Sequence, residues 1–409
     1  MSRQGPLIVV SHGERQASVV ARSSRSIFPV LDIDWSEASR GIERFQPAAV
    51  FVPTTEGAGT GLDRLAGQLA AMQPYVPLIV ADPDPPCPDN ALPFSSLNGG
   101  IDRFDRRLNA ALRVRTLHAT VLRRLAGNPA APRLPDADPI RDATVLLIGR
   151  GAAYPTLSVA FGERLGVVGA LSIEAAAKHL NARDLDGVVV SEGFTRRVVD
   201  ALLTVLAEDT RFRNLPIAVP AGGPWASYDL PNLEVMPGEP HHVVGTFLPL
   251  VRQHAFEARL HRTLKSMDAG GLLDPRTGLL TGDAFHRELN MAIRQTRSSG
   301  ASLSIARFSL GQQHERPLFD AARILSRLMR RMDFGTLEAD GSIVVVFADA
   351  DLRNAQMIAR RLSSVMKHTT LSAGRSLRID PQVTLTASRF DDSAASLLTR
   401  LSSEARAAS

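Results

Sequence analysis

"SRLMRRMDFGTLEADGSIVVVF", Ser326 to Phe347, ends a polar-faced helix, crosses a short strand, turns at Asp340-Gly341 and enters a run of β-branched residues. Asp-Gly between two strand-like runs is the ordinary signal of a tight hairpin turn. The preceding "PLFDAARILSRLMRRM" places Leu318, Ala322, Leu325, Met329 and Met332 on one face of a helix. Outward from this core, "DPRTGLLTGDAFHRELNMAIRQTRSSG" from Asp274 reads as turn then helix and "LSIARF" as a strand. Beyond the hairpin come a helix "LRNAQMIARRLSSVM", a strand "QVTLTAS" and a last helix "SAASLLTRLSSEARAA". Together these predict an α+β domain over 271–409.

Upstream the pattern differs. "LIVV", "FPVLDID", "AAVFVP" and "PLIVAD" are β-rich runs separated by helix-length segments, which implies βα units on a parallel sheet. A long helical stretch "IDRFDRRLNAALRVRTLHATVLRRLAG" and a Pro-rich linker "NPAAPRLPDADP" close this unit at about residue 138. The plan then recurs in 139–270, from "ATVLLIG" to "LPIAVP", as an internal repeat of domain size. Phe247 to Met267 reads as an amphipathic connecting helix with Leu250, Phe256, Leu260, Leu264 and Met267 apolar. It packs on its own domain or forms a dimer contact. The predicted fold class is therefore multi-domain α/β: two doubly wound, flavodoxin-like units followed by the α+β domain.

The chain has 409 residues, 44% hydrophobic and 22% charged, a composition that buries proper cores. No apolar run reaches the roughly 18 to 20 residues of a membrane span, and "MSRQGPLIVVSHGE" turns polar too early for a signal peptide. The expectation is a soluble, cytoplasmic protein. Cys87 is the single cysteine, so no internal disulfide forms. A net charge of +5 spread along the chain argues against a nucleic-acid surface.

On "DPRTGLLTGDAF", on the order of its elements and on "R-R-M-D" before the hairpin, the third unit resembles the GGDEF, or diguanylate cyclase, family. The resemblance lays the signature pentapeptide on Ala339, Asp340, Gly341, Ser342 and Ile343. Joining two GTP molecules needs hard cations held by carboxylates, yet the third position, acidic in active members, is Gly341. The strand that should bring the other carboxylate reads "SIARFSL", with Arg307 where the acid belongs. No catalytic residue and no magnesium are expected, and Asp340 is read as a turn residue.

The same resemblance marks an inhibitory cyclic di-GMP site by R-x-x-D, five residues before the signature. Arg330 and Asp333 supply it, and Arg361, with Arg360 beside it, lies where some members add an arginine. Arginine pairs with phosphate or with the O6 and N7 edge of guanine, while a carboxylate accepts from guanine N1 and N2. The bland alternative is an ion pair between Arg330 and Asp333 near a helix end.

The two front units resemble response-regulator receivers in spacing and order. That resemblance implies an acidic pair after the first strand and a phosphoacceptor aspartate after the third. Those places hold Ser11, His12 and Pro53 in the first unit, and Gly149, Arg150 and Ser191 in the second. Met236, before Pro237, takes the place of the usual lysine. Both are read as pseudo-receivers, and Glu192 as a solvated strand end. "EGAGTGLDRL" lacks the lysine of a P-loop. His241 and His242 are expected to cap the following helix, and Ser11 and His12, adjacent on a strand, to face opposite ways.

These readings converge on a non-enzymatic bacterial signalling protein, its degenerate GGDEF domain acting as a cyclic di-GMP sensor through Arg330, Asp333 and Arg361 or as a scaffold without nucleotide. The alternative is an active diguanylate cyclase. The expected partners are other signalling proteins and cyclic di-GMP, and a homodimer is left open; neither nucleic acid nor a cofactor is expected.

Overall fold

The computed structural model describes residues 5–12, 29–54, 60–83, 87–95, 100–126, 134–220, 228–235, 239–299, 302–311, 315–330, 332–367, 370–372, 376–378 and 380–408. Its first sheet joins β1 (Leu7–Ser11), β2 (Val30–Asp34), β3 (Ala49–Val52), β4 (Leu78–Ala81) and β5 (Ala91–Phe94) in the order 2-1-3-4-5, all parallel. Helices α1 (Ala38–Phe45) and α2 (Gly61–Ala70) cover one face through Ile42, Leu65 and Leu69. The other face meets Phe104 and Leu108 of α3 (Gly100–Ala126). β1, β3 and β4 are buried along their whole length, which is why they read as continuous apolar runs without alternation.

The second sheet repeats that order with β6 (Thr144–Ile148), β7 (Gly166–Ala170), β8 (Gly187–Val190), β9 (Ile217–Val219) and β10 (Leu233–Val235). It is flanked by α4 (Ala153–Gly162), α5 (Ile173–Ala182), α6 (Arg196–Glu208) and α7 (Pro240–Asp268). The order is one of the two common doubly wound arrangements. The inner faces of both sheets contribute to one continuous apolar cluster that holds Phe51, Phe104, Val145, Phe161, Phe247 and Val251.

Helix α7 corrects two expectations. It starts at Pro240, before the predicted Phe247, and continues through Pro249. His241 and His242 therefore lie within its first turn, and Glu239 occupies the N-cap without a side-chain cap bond. Proline suits a first helical turn because its missing N–H has no intrahelical partner there. The helix also packs beyond its own unit: Phe256, Leu260 and Leu264 meet Val114 and Val121 of α3.

The third sheet is antiparallel, in the order β12 (Phe334–Leu337), β13 (Ile343–Ala348), β11 (Leu303–Ser309), β16 (Gln382–Ala387). Helices α9 (Glu315–Leu328) and α10 (Leu352–Lys367) cover one face, and α8 (Gly282–Ser299) with α11 (Ala394–Ala408) covers the other. A separate hairpin, β14 (Thr370–Ser372) with β15 (Ser376–Arg378), had no signal in the sequence reading. Among the described residues no helix is long and apolar enough to cross a membrane.

Candidate functional site

The hairpin between β12 and β13 is closed by Glu338 N–H donating to Ser342 O at 2.8 Å and Gly341 N–H donating to Glu338 O at 3.0 Å. Gly341 has φ of +81°, the left-handed conformation in which glycine carries no steric penalty. Asp340 Oδ1 accepts from Ser342 N–H at 2.9 Å and from its hydroxyl at 2.6 Å, an Asx-type brace of the turn. Its other oxygen accepts from Arg307, which stands on β11 opposite Val344 and reaches Ser402 on α11 at 3.1 Å. Burial pushes the Asp340 carboxyl up, but the Ser342 hydrogen bonds and the Arg307 charge hold it below its ordinary range. A guanidinium thus faces the one carboxylate of the pentapeptide, Ala339 is exposed, and Ser342 and Ile343 are buried.

Arg330 follows α9, and the chain turns back so that Asp333 N–H donates to Arg330 O at 2.9 Å. The turn brings the two side chains together as a fork, Arg330 Nε and Nη2 donating to the two carboxylate oxygens at 2.9 and 2.8 Å. Arg330 Nη2 also donates to Ala348 O at 3.1 Å, and Ala348 N–H donates to Asp333 at 3.3 Å. The fork therefore pins the end of α9 to the end of β13. The carboxylate is fully enclosed, at 0% side-chain exposure, whereas Arg330 remains 37% exposed. The Asp333 hydrogen bonds raise the Arg330 pKa above its ordinary value. Arg360 and Arg361 stand on the exposed side of α10, and neither bonds to Arg330 or Asp333.

In the second unit the end of β8 presses on the turn after β6. A Cβ on Gly149 would lie 2.7 Å from the Ser191 Cβ, and one on Gly151 would lie 2.4 Å from the Glu192 Cβ. Arg150 N–H donates to Glu192 O at 3.1 Å, and Ser191 is buried with no partner for its hydroxyl. In the first unit Ser11 is buried, Pro53 half-buried, and exposed His12 sits 3.3 Å from Asp34. Met236 and Pro237 lie outside the described residues, as do the residues of the glycine loop before Thr60.

Sequence reasoning missed a set of arginines between the second and third units. Arg183 and Asp320 meet at 3.5 Å with both side chains buried, and burial drives the Asp320 carboxyl up against the opposing pull of Arg183 and Arg323. Arg323 donates to Asp142 O at 3.3 Å, Arg327 pairs with Asp184 at 3.0 Å, and Arg316 donates to Arg141 O. Partners more than 130 positions apart leave no short-range spacing to find.

No family model matches the chain, and no curated protein matches it. Solved structures similar to part of it include a sensory box/GGDEF family protein from Caulobacter crescentus, 21% identical over 34% of this chain and 97% of that one, with a TM-score of 0.30. The coiled coil and GGDEF domain of DgcB from Caulobacter crescentus, in complex with c-di-GMP, is 14% identical over 37% of this chain and 86% of that one, with a TM-score of 0.32. The FimX GGDEF domain from Pseudomonas aeruginosa is 18% identical over 34% and 93%, with a TM-score of 0.30.

Proposed function

We propose that this chain is a signalling protein whose third unit is a GGDEF-type domain that does not turn over GTP and reads cyclic di-GMP through Arg330, held in place by Asp333, with Arg361. The observation that carries the reading is the Arg330–Asp333 fork, placed before the hairpin at the spacing of the R-x-x-D motif. Asp333 and Ala348 take the Nε and Nη2 donors of Arg330, so the fork holds the guanidinium in one orientation and leaves its Nη1 N–H groups for a guanine edge or a phosphate. Asp333 then acts as a positioning residue, since its oxygens already accept from Arg330 and Ala348.

The residues at the hairpin do not fit a divalent cation. Arg307 contacts Asp340, Gly341 offers no side chain, and a second cation beside a guanidinium is opposed by charge. The front units are proposed as receiver-type modules without phosphoryl transfer, because Pro53 and Ser191 offer no carboxylate.

Titration calorimetry with cyclic di-GMP, with GTP in parallel, tests the sensor. Arg330→Ala should weaken binding roughly ten- to a hundredfold, the range of charge-assisted hydrogen bonds. Equal binding by parent and variant overturns the site, and formation of cyclic di-GMP from GTP and magnesium overturns the non-enzymatic reading. The enclosure of Asp333 favours one second reading, a scaffold in which the fork is structural; absence of binding in the parent would establish it.

A further inference from the structure

Between α7, the turn at Leu273–Gly278 and α9 lies a cavity of about 220 Å³, closed on one side by Asp184 of the second unit. Its lining carries four cations, Arg262, Lys265, Arg323 and Arg327, against two carboxylates, Asp184 and Asp274. Both carboxylates are already engaged. Asp184 pairs with Arg327 at 3.0 Å, and Asp274 braces Arg276, accepting from its N–H at 2.8 Å.

The remaining cations are short of acceptors. Arg262 donates from Nε to Pro275 O at 3.1 Å and makes no ion pair among the described residues. Arg323 donates to Arg276 O at 2.7 Å, yet its Nη2 is buried without a hydrogen-bond partner. The nearest carboxylate to it is Asp142 at 3.8 Å, which Arg259 shares at 3.2 Å. Burial, and then the neighbouring Arg323 charge, lower the Arg262 pKa to about 10 against the opposing pull of Asp186, Asp184 and Asp142. Guanidiniums withdrawn from water with only shared or distant counter-charge are costly, and an oxyanion among them would supply both charge and acceptors.

We propose that this cavity binds a phosphate-class oxyanion, with Arg262 and Arg323 as the principal donors and Lys265 at its exposed edge. The volume falls below the roughly 300 to 1,000 Å³ of sites for drug-sized molecules, so it suits inorganic phosphate or the phosphoryl group of a monoester, not a whole dinucleotide. The donors come from α7 and α9, so the anion joins the helix that leaves the second sheet to the helix that leads into the Arg330 fork. Its occupancy is a means of fixing the third unit against the second, and by linkage any shift between those units changes its affinity.

Titration calorimetry of the full chain with inorganic phosphate, at low ionic strength in a phosphate-free and sulfate-free buffer, tests the proposal. The parent should bind one phosphate saturably, with Arg262→Gln weaker by roughly ten- to a hundredfold and Lys265→Ala by less. Arg330→Ala, outside the cavity's lining, should bind phosphate as the parent does, which separates this site from cyclic di-GMP binding. Phenyl phosphate as a second titrant distinguishes a site open to monoesters from one restricted to the free anion. No saturable binding in the parent at millimolar phosphate, or unchanged binding in Arg262→Gln, overturns the proposal. Should Arg262→Gln fail to fold, Arg262→Lys with Lys265→Ala carries the same test, and full parental affinity in that pair likewise refutes it.

Discussion

Replacing Glu234 by Ala strands two guanidiniums. Glu234 ends the second sheet on β10, and its Oε1 accepts from Arg107 Nη2 at 2.6 Å and lies 3.2 Å from Arg103 Nη2. Side-chain exposure is 0% for Arg107 and 4% for Glu234, so water cannot take over as partner. Arg107 would keep the carbonyls of Pro231, at 2.8 Å, and Pro93; Arg103 would keep that of Leu233. Both would keep hydrogen bonds while losing their counter-charge. Burial already lowers the Arg107 pKa, with Glu234 pulling it back up. Removing one partner of a buried pair costs about 3–5 kcal/mol, and two arginines on one carboxylate place this case near the top of that range. With a urea m-value of about 3 kcal/mol/M, the unfolding midpoint followed by circular dichroism should fall by about 1 to 1.7 M with unchanged slope. Glu234→Gln, which keeps volume and one acceptor, should cost less. Replacing all three residues by Met, Met and Leu should recover most of the loss. A shift below about 1 kcal/mol in Glu234→Ala would refute the reasoning, because it would mean that solvent reaches the guanidiniums and that α3 is not sealed against β10.

Gly149→Ala drives a methyl into the Ser191 Cβ and should destabilise by about 1–3 kcal/mol, with Ser191→Gly in the same chain recovering much of it in denaturation midpoints. Asp392 is held at about 2 chiefly by its hydrogen bonds from Arg400, against an ordinary value of 3.8. Its folded pKa is depressed, so its contribution of about 1 kcal/mol is complete above pH 4 and is lost as pH falls from 4 towards 2. Asp392→Asn should flatten that acid limb in midpoints measured at pH 6, 3 and 2. Arg307→Ala removes an ion pair whose carboxylate is exposed, so stability should change by about 0.2–1 kcal/mol, and a larger loss by thermal unfolding would show that Arg307 carries more than the pairing with Asp340.

The parallel strands were legible because full burial turns them into apolar runs, and the hairpin was legible because Asp340-Gly341 carries its own turn chemistry. β5 was not. Ala91–Phe94 has four residues with Pro93 among them, and proline speaks against a central strand; the sheet places it at an edge, where a missing N–H is tolerated. At the candidate site, spacing was enough to bring Arg330 and Asp333 together, since three residues across a turn leave few other geometries. Spacing could not say that Asp333 would be enclosed, because enclosure depends on Ala348, which arrives from β13. Arg361 shared a predicted offset with the fork, but a helix fixes only which residues share a face, and that face is exposed. The arginines between the second and third units were invisible for a related reason: Arg183 and Asp320 are neighbours only once two units have folded and met.

The end of the first unit at about residue 138 is a break in the pattern of the chain, but the apolar cluster runs through it. Phe247 and Val251 of α7 share one cluster with Phe51 and Phe104, and Tyr75 meets the Phe256 ring at 5.9 Å between centroids. Helix α7 is 29 residues long, roughly 44 Å, and its buried residues run from Val243 to Ser266. A helix of that length buries its apolar residues only with partners along most of it, and much of that partner surface is α3. A chain truncated to residues 139–409 would bare the side of α7 at Phe256, Leu260 and Leu264 that meets α3, and would strip Glu234 of both its arginine partners. A bared apolar helix face is a site of association between copies. The truncated chain should therefore aggregate or lose its near-ultraviolet dichroism, while the full chain unfolds the first two sheets in one transition. A monodisperse truncated chain whose second sheet unfolds at the parental midpoint would show that the two sheets are energetically separate, and would remove α3 and α7 as the physical link from the first unit to the Arg330 fork.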